Sequence, residues 1–278
     1  MRAPASVAVL SAAALAAACA PTRRPTLGSP APVPGAAEAA AALRASPRHG
    51  EWIRLATEEG DSLQAWVVYP ERRQPAPVVV VVHEIFGLTD WIRSVADALA
   101  AAGYLAIAPD LLSGTPGSRP FAEPDPEAAR AAIRSLDPAR VHRRLRAAAT
   151  YAMSLPAAQP RYAVLGFCWG GSTAFAHPAF APDVRAAVVF YGSAPDSATL
   201  ARIRVPLLVL LGENDARVNA TIPPAEARLR AAGVPIEVRT YPGAGHGFLR
   251  AQATPANRAA AQRAWPAALA WLRRTLGP

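Results

Sequence analysis

Lysine is missing from this chain altogether: its 29 basic residues are all arginine, set against 20 acidic ones for a net charge of +9. That charge invites a nucleic-acid reading, but the arginines are dispersed apart from short pairs such as Arg72-Arg73 and Arg143-Arg144, and no basic stripe interleaves with aromatics. With so much Ala and Pro, the pattern is a compositional bias. It implies no nucleic-acid partner, only a modest preference for anionic substrates or surfaces. Metal-ligand spacing is missing as well, because His83-Glu84 has no second histidine at helical spacing, so neither a metal nor a cofactor is expected. Internal repeats are absent. Cysteine is reduced to two residues, Cys19 and Cys168, whose roles are separate.

What is present centres on Cys168. The strand-forming run Ala163-Val164-Leu165 feeds into Gly166-Phe167-Cys168-Trp169-Gly170-Gly171, and a helix-compatible stretch follows. This is a nucleophile elbow with cysteine in place of serine, a turn so tight that only glycines fit on either side of the strained nucleophile. The N–H groups opening the next helix would favour a thiolate and an oxyanion alike. A lone cysteine is more often a small buried hydrophobe. The flanking glycines argue for a catalytic thiol instead.

An elbow of this kind takes its partners in the chain order nucleophile, acid, histidine, each at the C-terminal end of a strand. The apolar run Pro206 to Leu211 ends in Gly212-Glu213-Asn214-Asp215, which makes Asp215 the natural acid, 47 residues after the cysteine; Glu213 is a weaker rival. The alternating run Ile236 to Tyr241 opens into the glycine-rich loop Pro242 to Phe248, which carries His246 another 31 residues on. An aspartate after a strand is often only a helix cap. A histidine between Gly245 and Gly247 has no packing reason to be there. His49, His142 and His177 read as structural or solvated.

Upstream, Pro77 to Val82 is the most apolar strand in the chain, buried on both faces, and it ends in His83-Glu84-Ile85-Phe86-Gly87. The backbone N–H groups of Ile85 and Trp169 are expected to form the oxyanion hole. Glu84 would lie near the thiol, accept its proton and raise its pKa.

With these pieces placed, residues 50 to 275 resemble the dienelactone hydrolase family of α/β-hydrolases. The resemblance rests on His83-Glu84-Ile85-Phe86-Gly87, Pro109-Asp110-Leu111, the cysteine elbow, Asp215 and Gly245-His246-Gly247-Phe248. It implies a Cys168, Asp215, His246 triad, a Glu84 that keeps the resting thiol neutral until substrate displaces it, and an Arg250 that binds a substrate carboxylate. A second arginine before the elbow shares that task in the family; Arg119, Arg130 and Arg134 are the candidates here. Trp169 stands where familiar members carry a smaller aliphatic residue, so the pocket differs. The expected activity is cleavage of a small carboxylic ester or lactone, probed against two alternatives: a non-catalytic tethered binding domain and a thiol-dependent peroxidase.

The rest fits an α/β fold, a mostly parallel sheet with helices on both faces, in one domain at residues 49–278. Glu51 to Ala56 and Leu63 to Tyr69 read as an antiparallel opening pair, Asp90 to Ala102 as an amphipathic helix, Tyr104 to Ala108 as a strand, and Pro126 to Ser154 as one or two helices. Ala186 to Tyr191 is a strand whose Tyr191 lines the pocket or simply packs. Ala225 to Ala232 and Pro255 to Leu276 are helices, the latter capped by Thr254. A monomer is expected.

The first residues tell another story. Arg2 precedes an apolar run, Val7 to Ala18, too short to span a membrane but right for an export signal. Leu15-Ala16-Ala17-Ala18-Cys19 suggests a lipoprotein signal at residues 1–19 with Cys19 lipidated, hence an exported, membrane-anchored protein; a plain signal peptide giving a periplasmic or secreted protein is the alternative. Residues 20–48 read as a flexible tether. An exported chain with Cys168 as a free thiol in an oxidising compartment carries a liability unless that thiol works.

Overall fold

The computed structural model describes residues 32–57 and 60–277. The export signal and Cys19 lie outside the described residues. Eight strands form one sheet: β1 (Gly50–Ala56), β2 (Ser62–Val68), β3 (Ala76–Val82), β4 (Leu105–Pro109), β5 (Ala158–Phe167), β6 (Val184–Phe190), β7 (Leu207–Asn214) and β8 (Ile236–Gly245), in the spatial order β1-β2-β4-β3-β5-β6-β7-β8. The pairings β1 to β2 and β2 to β4 are antiparallel, and every pairing from β4 through β8 is parallel. The helices are α1 (Ala39–Ala45), α2 (Asp90–Ala101), α3 (Pro126–Ile133), α4 (Pro138–Ser154), α5 (Trp169–Ala176), α6 (Ser197–Leu200), α7 (Ala216–Asn219), α8 (Ile222–Ala231) and α9 (Pro255–Leu276).

The valine run of β3 shows why the sheet is central. Every residue from Ala76 to Val82 is buried. Val79 and Val81 join the core that contains α2 and α9, while Val78, Val80 and Val82 join the core that contains α4 and α8. Successive side chains of a strand point to opposite faces, so β-branched residues at every position suit a strand covered on both sides. The long helical stretch resolves into two helices. Asp125 and Asp137 each accept hydrogen bonds from the first turn that follows them, and Pro126 and Pro138 begin those turns. Thr254 likewise caps α9.

The tether expectation fails for residues 32–48. Val33 and Ala39 are core residues, and α1 packs on α2. Trp91 Nε1 donates to Pro34 O at 3.0 Å, Ala36 N to Arg250 O at 2.9 Å, and Arg48 grips Asp97 through Nε and Nη2 at 2.9 and 2.6 Å. Composition misled here because alanine is the best helix former as well as a common linker residue. The segment found an apolar surface on α2 and α9 to cover.

His142 and His177 are both buried, with their Nδ1 atoms 3.3 Å apart and His142 stacked on Phe180 at 4.1 Å. Burial pushes both imidazoles down, to about 4 and about 3. They are neutral structural groups. His49 is exposed.

Since β3 and β5 through β8 run parallel, their C-terminal ends lie along one edge, where an open α/β sheet places its ligand site. The segments that leave that edge carry Glu84, Cys168, Tyr191, Asp215 and His246.

Candidate active site

Cys168 sits between the last residue of β5 and the first of α5 with φ 55° and ψ −117°, a left-handed conformation rare for a residue with a Cβ. Two close approaches hold it there. A Cβ on Gly166 would lie 2.0 Å from Gly170 O, and one on Gly170 would lie 2.2 Å from His83 O. The elbow therefore folds only with hydrogen at both positions.

His246 Nε2 lies 3.0 Å from Cys168 Sγ, and His246 Nδ1 lies 2.5 Å from Asp215 Oδ2. Asp215 is buried, at 7% exposure, and fixes the imidazole. Glu213, the rival acid, instead accepts the Gly243 N–H at 2.8 Å. The chain order inferred from strand ends thus brings three side chains to one point.

Glu84 is 4% exposed, and its Oε2 lies 3.3 Å from Arg250 Nε. Burial pushes its carboxyl up to about 7, with Arg250 opposing. Burial also raises the Cys168 thiol, to about 11, and the charge of Glu84 raises it further; the Trp169 N–H and Arg217 oppose. The resting sulfur is a thiol at neutral pH.

The Trp169 N–H faces the sulfur. The Ile85 N–H meets no acceptor among the described residues, and Ile85 lines the same cleft. His83 secures this corner. Its Nε2 accepts the Leu111 N–H at 3.1 Å, so the proton sits on Nδ1, which donates to Glu84 O at 2.7 Å, and its ring stacks on Trp169 at 5.6 Å. Burial holds His83 below its usual range.

Tyr191 is fully buried with φ 41°, its ring 5.2 Å from that of His246. Burial raises its hydroxyl well above the usual phenol range. Arg250 also lies over the Phe86 ring at 4.5 Å, and Arg130 approaches the same ring at 4.8 Å. Of the three candidates for a second arginine, only Arg130 reaches this rim, and it does not line the cleft. Arg119 is 4.0 Å from Asp125 instead. The cleft itself has a volume of about 550 Å³. Its lining includes two residues that sequence reasoning missed, Ser172 and Arg217. Arg217 was within reach, two positions beyond Asp215 at the mouth of β7. Among the described residues, no group of three or more potential metal ligands occurs.

The parallel sheet, the elbow and the Asp215, His246, Cys168 sequence of contacts define an α/β-hydrolase. The model of the dienelactone hydrolase family matches residues 63–276, most of the chain, and the protein belongs to that family. A protein of Escherichia coli (strain K12) assigned as a carboxymethylenebutenolidase is 30% identical over 228 residues, covering 78% of this chain and 84% of its own. A Bradyrhizobium protein assigned as a 2-oxo-3-(5-oxofuran-2-ylidene)propanoate lactonase is 30% identical over 239 residues, covering 80% and 93%. Among solved structures, a dienelactone hydrolase homologue of Klebsiella pneumoniae superposes with a TM-score of 0.73 at 28% identity, over 82% of this chain and 99% of that one. The chain is a carboxymethylenebutenolidase-like hydrolase.

Proposed function

We propose that this hydrolase opens a small carboxylic ester or lactone bearing a carboxylate, through a thiol acyl-enzyme on Cys168. The unbroken line from Asp215 Oδ2 through His246 to Cys168 Sγ, at 2.5 and 3.0 Å, is the observation that carries this reading. A substrate carbonyl enters with its oxygen toward the Ile85 and Trp169 N–H groups. The sulfur attacks carbon as its proton passes to His246 Nε2. The C–O bond then breaks, the leaving oxygen takes that proton, and a thioester remains. In the second half His246, held by Asp215, removes a proton from water, the resulting hydroxide attacks the thioester, and the proton returns to sulfur as the acid leaves. A carboxylated substrate also competes with Glu84 for Arg250, and withdrawal of Glu84 removes the negative charge that helps keep the thiol protonated. The name of the Bradyrhizobium relative, an unsaturated lactone carrying an oxoacid, fits a substrate of this kind.

The test is hydrolysis of dienelactone, a neutral lactone and p-nitrophenyl acetate by the wild-type protein. We expect turnover with the carboxylated lactone preferred. Failure on all three, with the thiol still intact, would sink the hydrolytic reading.

Glu84→Gln gives a second expectation. With its pKa at about 7, Glu84 is charged above neutrality and mostly neutral below it. Variant and wild type should therefore alkylate with iodoacetamide at similar rates at about pH 6, and the variant should become faster as pH rises through 7, reaching about tenfold by roughly pH 8.5 for a one-unit fall in thiol pKa. Equal rates across the whole range would show that Glu84 does not govern the thiol.

A further inference from the structure

The two arginines that line the cleft are not equivalent. Arg250 already has partners: its Nε lies 3.3 Å from Glu84 Oε2 and its guanidinium lies over the Phe86 ring at 4.5 Å. Arg217 is exposed at the cleft and forms no ion pair among the described residues; its nearest polar contact is a long one, Nη1 to Ser193 Oγ at 3.5 Å. The neighbouring acids are already occupied, Asp215 by His246 Nδ1 and Glu213 by the Gly243 N–H. Arg217 lines the same cleft as Cys168 and His246. A cation with no ion-pair partner among the described residues therefore lines the cleft that holds Cys168.

We propose that Arg217 is a substrate-binding residue that shares the anionic group of an ester or lactone with Arg250 and thereby sets the preference for carboxylated substrates. This rests on the hydrolase reading above and deepens it. Planar guanidinium matches a carboxylate in two parallel hydrogen bonds, and a carboxylate arriving here meets a donor that has no competing acid to displace, unlike Arg250. Arg217 is the second residue of α7, two residues after the acid that orients His246. The residue that recognises the substrate and the residue that aligns the base are thus carried on one short segment.

Two measurements on the full chain test this. In the first, wild type and Arg217→Gln are compared on 4-nitrophenyl hydrogen glutarate and on the neutral 4-nitrophenyl valerate. The ratio of kcat/KM for the anionic over the neutral ester should fall about tenfold in the variant, mainly through KM, as expected for loss of a charged hydrogen bond. Arg217→Lys should recover part of it, whereas Arg228→Gln, an exposed arginine of α8 away from the cleft, should leave the ratio where it was. The second needs no turnover. Alkylation of Cys168 by anionic iodoacetate and by neutral iodoacetamide is followed by peptide mass spectrometry, and the ratio of the two rates should fall about three- to fivefold in Arg217→Gln. Both reagents need the same thiolate, so any change in thiol pKa cancels. An unchanged alkylation ratio overturns the proposal even if esters are hydrolysed. A reduced alkylation ratio in a protein that hydrolyses neither ester supports the anion site and removes the hydrolase reading instead.

Discussion

Cys168→Ala should lose ester hydrolysis by at least about four orders of magnitude in kcat/KM while keeping its fold, because deleting a covalent nucleophile leaves only binding and the oxyanion donors to act on the substrate. The fold should survive for local reasons. The side chain is only partly buried, and His246, itself 35% exposed in its side chain, can replace the lost sulfur contact with water. Alanine keeps the Cβ that the elbow already accommodates at φ 55°. Near-UV circular dichroism and a melting curve like those of wild type would establish that the loss is chemical. Cys168→Ser separates the readings further. It preserves shape and the contact to His246, but an alcohol is far harder to ionise than a thiol, and its surroundings were arranged for sulfur beside Glu84. Residual hydrolysis well below wild type is expected, with no reaction toward iodoacetamide. An alanine variant that still turns over esters would mean that the sulfur is not the nucleophile, and one with intact peroxide-dependent turnover would exclude a thiol peroxidase as well.

The three side chains that meet at the elbow were legible because local chemistry confined them. Cys168 is framed by glycines that backbone contacts require, Asp215 follows the continuous apolar run of β7, and His246 sits between Gly245 and Gly247 at the end of β8. The continuous apolar run of β3 and the caps of α3, α4 and α9 were legible for the same reason, since each depends on neighbours within a few residues. What escaped was tertiary. Residues 32–48 look like a linker in composition and become part of the fold only because α2 and the Arg250 loop offer partners remote in sequence. Arg144 shows the same limit: it lies on an arginine-bearing helix, yet its side chain is 3% exposed, donating to Leu111 O at 2.9 Å and pairing with Asp61. Asp61 answers for that burial, its carboxyl held well below the usual range by Thr57, Arg144 and Arg140 against the opposing effect of desolvation. The division of labour between Arg217 and Arg250 belongs to this class too. Spacing identifies arginines near a site, but which one already has an acidic partner depends on where a glutamate from the segment after another strand arrives.

Gly170→Ala should be strongly disruptive for a single methyl. Its Cβ would lie 2.2 Å from His83 O and 2.5 Å from Val82 O, both main-chain atoms at the end of the central strand β3, so no side chain can turn aside to admit it. Either α5 withdraws from β3 or the end of β3 is pushed out of register with β5. Overpacking in a well-filled core costs about 1–3 kcal/mol, and here the obstruction is backbone, so a loss of at least about 3 kcal/mol is expected. For a domain of this size that corresponds to a fall in Tm of roughly 10 °C. Activity should drop more than stability alone explains, because the displacement separates the Ile85 N–H, which follows β3, from the Trp169 N–H, which opens α5, and the two must converge on one oxygen. Gly245→Ala provides the contrast. It adjoins His246, but a Cβ there meets nothing within 4 Å and its backbone is not left-handed, so its Tm should stay close to wild type. If Gly170→Ala melts with the wild-type protein, then the close approach of α5 to β3 is not what holds the elbow, and the strained backbone of Cys168 must be supported from β6 alone, through the Cys168 N–H to Phe190 O bond of 3.1 Å.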